Sequence, residues 1–203
     1  MARVIKTYHD NGQLCRKYFE NDGKKEGEYK EYRENGQLYI ICSYVNGKEE
    51  GEYKTYYGNG QLREMYNCVD GKIEGEYKIY NEYGQLWETY NYVNGKLEGE
   101  YKEYYKNGQI RLICNYVNED MEGECKLYNI DGQLCQTCNY VNDKREGECK
   151  SYYPDGQLFE ICNYVNGKKE GEHWLYYKNS QYETCNYVNG NKEGEYKSYH
   201  TNR

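Results

Sequence analysis

Ten cysteines and three histidines are the residues of this 203-residue chain best equipped for chemistry. Cys114, Cys125, Cys138, Cys149, Cys162, His173 and Cys185 follow one another at a nearly even spacing. Thiols and an imidazole in such number would suit a soft metal or a store of redox equivalents. Cys135 and Cys138 form a C-x-x-C pair, but residues three apart on a strand point to opposite faces, so these sulfurs cannot meet. His9 and His200 lie near the ends of the sequence. There is no phosphate loop, no H-E-x-x-H and no nucleophile elbow. The expectation is a protein that is not an enzyme and carries no cofactor.

A repeat must position these residues. Gly-Glu begins at Gly27, Gly51, Gly75, Gly99, Gly123, Gly147 and Gly171 in constant phase, then at Gly194, one position short of that spacing. Gly-Gln keeps the same period from Gly12 to Gly156 and becomes Ser180-Gln181 at the end. A third landmark, Y-V-N-G, starts at Tyr44, Tyr92, Tyr164 and Tyr187, with variants at Cys68, Tyr116 and Tyr140. Each unit reads G-E-Y-K-x-Y, a turn with N-G or D-G, Q-L-x-x-x-C/Y-N-Y-V, then N-G-K-x-E.

N-G and D-G steps such as Asn35-Gly36 and Asp131-Gly132 are strong hairpin signals, because a type I′ turn needs positive φ twice. One unit is therefore one β-hairpin. With Asn35-Gly36 as a two-residue loop, paired positions sum to 71. Tyr29 then faces Cys42, Tyr32 faces Tyr39 and Gly27 faces Tyr44. The same rule opposes Tyr56 to Arg63, Tyr80 to Trp87, Tyr104 to Arg111 and Tyr152 to Phe159. Opposed pairs of this kind hold register. It also explains the recurring glycine as bare backbone beneath a cross-strand ring.

Across the sheet this register makes one row: Tyr18, Tyr29, Cys42, Tyr53, Tyr66, Tyr77, Tyr90, Tyr101, Cys114, Cys125, Cys138, Cys149, Cys162, His173, Cys185 and Tyr196. Sulfurs in a row make a line, whereas zinc needs a tetrahedral pocket, so packing as small apolar groups is the favoured reading. Counting outward from Asp131-Gly132 makes Cys125–Cys138 a close, non-hydrogen-bonded pair, and Cys149–Cys162 another. Those two would bridge first under mild oxidation.

Composition fits a folded array. Leu, Ile, Val and Phe together make only about one residue in seven, and mean hydropathy is −1.26. Such values suggest disorder, but 30 Tyr supply rings that bury while their hydroxyls stay wet, and there is a single Pro. The longest apolar run, Leu38 to Cys42, is too short to span a bilayer. The opening M-A-R-V-I-K-T-Y-H-D has no apolar signal segment. The expected location is the cytoplasm, with free thiols. A net charge of −7 and a pI of 5.2 argue against nucleic acid and anionic lipid as partners.

Glu flanks the repeat glycine on both sides, as at Glu26 and Glu28, Glu98 and Glu100, Glu170 and Glu172. Lys30, Lys54, Lys78, Lys102, Lys126 and Lys150 follow on the same face. An acidic rim would recruit a basic partner or Ca²⁺; a salt-laced face that keeps an open sheet soluble is the simpler reading.

Tyr44 to Tyr53, Y-V-N-G-K-E-E-G-E-Y, and its copies resemble the MORN repeat, above all the short variant Y-x-N-G-K-x-x-G-x-W/Y of giant-virus and bacterial antitoxin-like proteins. The most divergent copy starts at Tyr164 and closes with His173-Trp174. The resemblance implies an all-β, elongated, single-layer, twisted antiparallel sheet of about eight 24-residue hairpins that serves as a scaffold or interaction module. The array spans 1–203: a partial or capping repeat over 1–26, seven repeats over 27–193 and a half repeat over 194–203. The expected function is a non-catalytic scaffold for protein–protein interaction through exposed aromatic and acidic faces. A membrane- or lipid-associated module and a thiol- or metal-binding protein are the alternatives. Partners are then an unidentified protein, or a second copy through sheet ends or faces, in the cytoplasm of a host cell or in a virion. Small-angle scattering tests the array: the radius of gyration should lie well above the about 17 Å of a 203-residue globule, and a globular value would contradict it.

Overall fold

The computed structural model describes residues 2–178 and 181–200; Ser180 of the Gly-Gln series and residues 201–203 of the terminal half repeat lie outside the described residues. Contacts divide the chain into two compact units, Met1–Gly99 and Glu100–Arg203. The first holds β1 (Arg3–Tyr8), β2 (Leu14–Asn21), β3 (Lys24–Tyr32), β4 (Leu38–Val45) and β5 (Lys48–Glu49). It continues with β6 (Gly51–Tyr56), β7 (Leu62–Val69), β8 (Lys72–Tyr80), β9 (Leu86–Val93) and β10 (Lys96–Leu97). After β11 (Gly99–Tyr104), the second holds β12 (Ile110–Val117), β13 (Asp120–Met121), β14 (Gly123–Tyr128), β15 (Leu134–Val141) and β16 (Lys144–Arg145). It ends with β17 (Gly147–Tyr152), β18 (Leu158–Val165), β19 (Lys168–Lys169), β20 (Gly171–Tyr176), β21 (Gln181–Val188) and β22 (Asn191–His200).

Within each unit the chain meanders as one antiparallel layer of successive long strands. The two-residue strands are outer ends of longer ones: β5 and β6 both pair with β4, and Glu50 alone lies between them. The registers Tyr29↔Cys42, Gly27↔Tyr44, Tyr53↔Tyr66, Cys125↔Cys138 and Cys149↔Cys162 follow the repeat arithmetic.

Near the Gly-Gln turn the register departs from that arithmetic. Tyr32 faces Leu38, not Tyr39; Tyr56 faces Leu62, Tyr80 faces Leu86 and Tyr152 faces Leu158. The turn is not a two-residue type I′. Gly36 N–H donates to Arg33 O at 2.8 Å and Arg33 N–H to Gln37 O at 2.8 Å, with Gly36 alone at positive φ, +81°. That is a type I turn closed by a left-handed glycine bulge, and the bulge absorbs one residue from the pairing. Asn35 Oδ1 accepts from Gln37 N–H at 3.1 Å, an Asx bond within the turn.

The type I′ turn stands at the other end of the repeat. Asn46 and Gly47 have φ of 52° and 85°, and Val45 faces Lys48 directly. The same left-handed pair recurs at Asp22-Gly23, Asp70-Gly71, Asn94-Gly95, Asn166-Gly167 and Asn189-Gly190. It persists without glycine at Asn118-Glu119 and Asn142-Asp143.

The repeat glycine has a different cause from the one its cross-strand partner suggests. Gly75 faces Tyr92, yet a Cβ placed there would meet nothing within 4 Å; Gly51, which faces Cys68, has φ +81° and the same open space. Its role is the left-handed conformation that breaks the strand at Glu50, where an L side chain is strained whatever the space.

This bulge aims the preceding glutamate at the neighbouring type I′ turn. Glu26 Oε2 accepts from Asn46 N–H at 2.9 Å, while Gly47 N–H donates to Lys25 O at 2.9 Å. Glu50 with Asp70, Glu74 with Asn94, Glu146 with Asn166 and Glu170 with Asn189 repeat the bond at 2.7–2.9 Å. Turn amides that a solitary hairpin leaves to water are thereby satisfied by the previous repeat. At the opposite edge Tyr57 Oη–H donates to Tyr80 O, Tyr105 to Tyr128 O and Tyr153 to Tyr176 O, at 2.8–2.9 Å.

The glutamate after the glycine does something else. Glu28, Glu52, Glu124 and Glu148 pair with Lys30, Lys54, Lys126 and Lys150 on the exposed face. Exposed pairs of this kind contribute little. Replacing Glu50 by Ala should therefore cost ~1 kcal/mol of unfolding free energy, and Glu52→Ala less than ~0.5 kcal/mol. Urea titration of the two variants checks this; equal costs would remove the distinction.

Candidate functional site

In each unit the row read from the sequence lies on the face where most of the burial is. Tyr29, Cys42, Tyr44, Cys68, Cys114, Cys138, Cys149, Cys162, His173 and Cys185 are all buried there. In the first unit the row is aromatic except at Cys42: the Tyr66 ring stacks between Tyr53 and Tyr77 at 4.8 Å on each side. Lys25 Nζ sits 4.4 Å from the Tyr29 ring and 4.5 Å from Tyr44, a cation–π clamp at the sheet edge. Burial pushes the Tyr53 hydroxyl up to about 12, so the ring stays neutral and packs as an apolar plate.

In the second unit the row turns to sulfur. Cys114 is disulfide-bonded to Cys125 with Cα atoms 4.4 Å apart, and Cys138 to Cys149 with Cα atoms 4.3 Å apart. This corrects both the free-thiol expectation for these four residues and the expected first bridges, Cys125–Cys138 and Cys149–Cys162. A strand residue points its N–H and C=O at one neighbour only, so close and wide pairs alternate along a row. The glycine bulge inverts the count from Asp131-Gly132: Tyr128 faces Leu134, and the register shifts before Leu127↔Gln136. Cys125–Cys138 and Cys149–Cys162 become the wide pairs, and the close pairs lie across the type I′ turns. Cys135 remains a thiol with Sγ 3.7 Å from Gln133 O, apart from the bonded Cys138.

Where the row reaches His173, a carboxylate, an imidazole and a thiol fall in line. His173 Nε2 lies 2.7 Å from Glu160 Oε1, and His173 Nδ1 lies 3.5 Å from Cys185 Sγ. Lys169 Nζ donates to the same Glu160 oxygen at 2.9 Å, and the Tyr187 ring stands edge-on to the imidazole at 5.4 Å. Burial alone would raise the Glu160 carboxyl, but the bonds from Lys169 and His173 outweigh it and hold it below the ordinary carboxylate range. Burial pushes the Cys162 thiol up. A carboxylate that accepts Nε2–H fixes the tautomer and leaves Nδ1 to accept the Cys185 S–H. The group polarises a thiol, yet His173 and Cys185 are only 6% and 7% exposed, which denies a substrate access. Residue type and motif do not single out Glu160. It sits one row from His173 on the preceding strand, within reach of the same register arithmetic.

Among the described residues no group of three or more His, Cys, Asp or Glu is placed to hold a metal ion. No helix is long and apolar enough to cross a membrane. The repeat glycines Gly27, Gly51, Gly75, Gly99, Gly123, Gly147, Gly171 and Gly194 all have positive φ.

Glu160 makes a pH test. A depressed carboxyl contributes stability that is in place above the unfolded value of ~4.3 and is lost as pH falls through the lower folded value. Glu160→Gln should cost ~1–2 kcal/mol at neutral pH. The wild-type and variant curves should converge below that folded value. A gap of the same size at neutral and strongly acidic pH would show that the charge of Glu160 contributes nothing.

The geometry agrees with the comparisons. A comparison with curated proteins finds no match. Among solved structures, the crystal structure of the GtfA/B complex bound to UDP and GlcNAc contains a chain similar at 14% identity and a TM-score of 0.19. The match covers 61% of this chain and 22% of that one, and a likeness this weak carries no argument. The family model described as "MORN repeat variant" matches residues 25–46, 49–67, 97–118, 121–142 and 145–166, just over half of the sequence. Those segments hold the strands, the glycine bulge and the Gly-Gln turn described above, four of them ending at the first residue of a type I′ turn, and the chain belongs to the MORN repeat variant family.

Proposed function

We infer that this repeat scaffold is non-catalytic and binds a protein partner on the face that carries the Tyr–Cys row. One observation carries the reading: the positions beside the row change size and charge from repeat to repeat, while the Glu positions beside the repeat glycine on the opposite face recur. On the opposite face Glu28, Glu52, Glu76, Glu124, Glu148 and Glu172 recur without change, opposed by Ser43, Asn67, Asn91, Asn139, Asn163 and Asn186. On the row face the positions beside the row run Glu31, Ile40, Thr55, Glu64, Ile79 and Glu88 in the first unit. In the second they run Leu112, Leu127, Gln136, Ser151, Glu160 and Leu175. A repeated frame that varies its side chains on one face is how repeat arrays build a binding surface.

Membrane association is the competing reading, and it predicts binding through the lysines of the opposite face. The test captures partners from a native lysate on wild type, on Glu64→Lys with Glu88→Lys, and on Lys54→Glu with Lys78→Glu. Vesicles of anionic phospholipid are floated with the same three proteins. The proposal expects a partner retained by wild type and the lysine variants and lost from the glutamate variants, with no flotation. Flotation that the lysine variants abolish, or retention indifferent to both faces, would overturn it.

A further inference from the structure

Five cysteines, Cys114, Cys125, Cys138, Cys149 and Cys162, occupy consecutive positions of one row on neighbouring strands, with four of them held in two disulfides and Cys162 free. Cys138, Cys149, Cys162 and Tyr164 form one buried cluster, and Cys162 directly faces Cys149 of the nearer disulfide. We propose that this row is an intramolecular thiol–disulfide relay, in which the one free thiol moves along the sheet by exchange with its neighbours.

Thiol–disulfide exchange is an attack along the S–S axis, with attacking, central and leaving sulfurs in a line. A row across antiparallel strands supplies that line. The arrangement that fails as a tetrahedral metal site is the one that exchange requires. In the first step Cys162 Sγ gives its proton to solvent and attacks Cys149 Sγ. The Cys149–Cys162 bond forms and the Cys138–Cys149 bond breaks. The electron pair leaves on Cys138 Sγ, which takes up a proton. In the second step Cys138 attacks Cys125, forming Cys125–Cys138 and releasing Cys114 as the thiol. Two disulfides and one thiol are present throughout, so nothing is oxidised or reduced overall and no external oxidant is consumed.

The row sets both direction and limits. Beyond Cys162 the next position is His173, which bonds Glu160 and Cys185 and cannot carry a disulfide. Burial keeps Cys114, Cys138, Cys149 and Cys162 at 4% exposure or less, while Cys125 is half-buried. The raised Cys162 thiol makes exchange slow at neutral pH and faster in base, because only the thiolate attacks.

The consequence is a parity rule. With neighbours as the only partners, two bonds among five positions leave the odd thiol at Cys114, Cys138 or Cys162, never at Cys125 or Cys149. The test uses the full chain after air oxidation, incubated at a series of pH values. Samples are quenched in acid, unfolded in urea and labelled with N-ethylmaleimide at weakly acidic pH. Unreduced peptides are then mapped, with the remaining free cysteines serving as a constant background. One equivalent of label should spread over Cys162, Cys138 and Cys114 with time, with a rate that rises about tenfold per pH unit below the thiol pKa. Cys162→Ser should abolish labelling at Cys114 and Cys138. The wild-type time course decides by itself if that variant fails to fold. Label that stays on Cys162 at every pH, label on Cys125 or Cys149, or a row without disulfides after oxidation would each overturn the relay.

Discussion

A type I′ turn leaves its two central amides without partners inside its own hairpin, and this protein answers that need from the preceding hairpin. At Asp70-Gly71 one amide goes to the Glu50 carboxylate and the other to the Glu49 carbonyl. The glutamate can reach only because the glycine after it is left-handed and breaks the strand at that point. Turn, bulge and carboxylate are three parts of one device, repeated from hairpin to hairpin. The chain lacks the aliphatic residues of an ordinary core, so tying hairpin to hairpin at both edges substitutes for a centre.

With the edges fixed, the middle of each strand is free to vary, and the two units use that freedom differently. The first fills its central row with tyrosine plates, stacked as at Tyr53, Tyr66 and Tyr77. The second fills it with sulfur, ending at the Glu160–His173–Cys185 line. The two rows occupy equivalent strand positions. Tyrosine fills them by area and cysteine by compactness, which is why one register accommodates both. The unvarying Glu, Asn and Lys side chains of the other face keep it wet and charged.

The period alone made most of this legible. Three landmarks in constant phase are enough to oppose Tyr29 to Cys42 and Cys149 to Cys162, and to place the row on one face. Turn chemistry was the weak point, because Asn-Gly occurs at both ends of the repeat. At Asn46-Gly47 the strand residues Val45 and Lys48 flank the pair directly, leaving room for a two-residue loop only. At Asn35-Gly36 the polar Arg33 and Glu34 come first: Arg33 opens a type I turn whose centre is Glu34 and Asn35. Taking the second for the first misplaced Tyr32 by one residue and inverted the close and wide cysteine pairs. Glu26 and Glu28 were indistinguishable as letters; the bulge between them, invisible to composition, sends one to a turn amide and the other to lysine.

Hydrogen exchange of the turn amides tests the central claim most directly. Asp70 N–H and Gly71 N–H sit at an exposed sheet edge, in a turn that offers them no internal acceptor. If Glu50 and the Glu49 carbonyl hold them, both should exchange as slowly as the paired amides of the adjoining strands β7 and β8. In Glu50→Ala the Asp70 amide alone should lose protection, while Gly71 keeps its carbonyl. Exchange of both amides at the rate of an open loop in the wild-type chain would contradict the account.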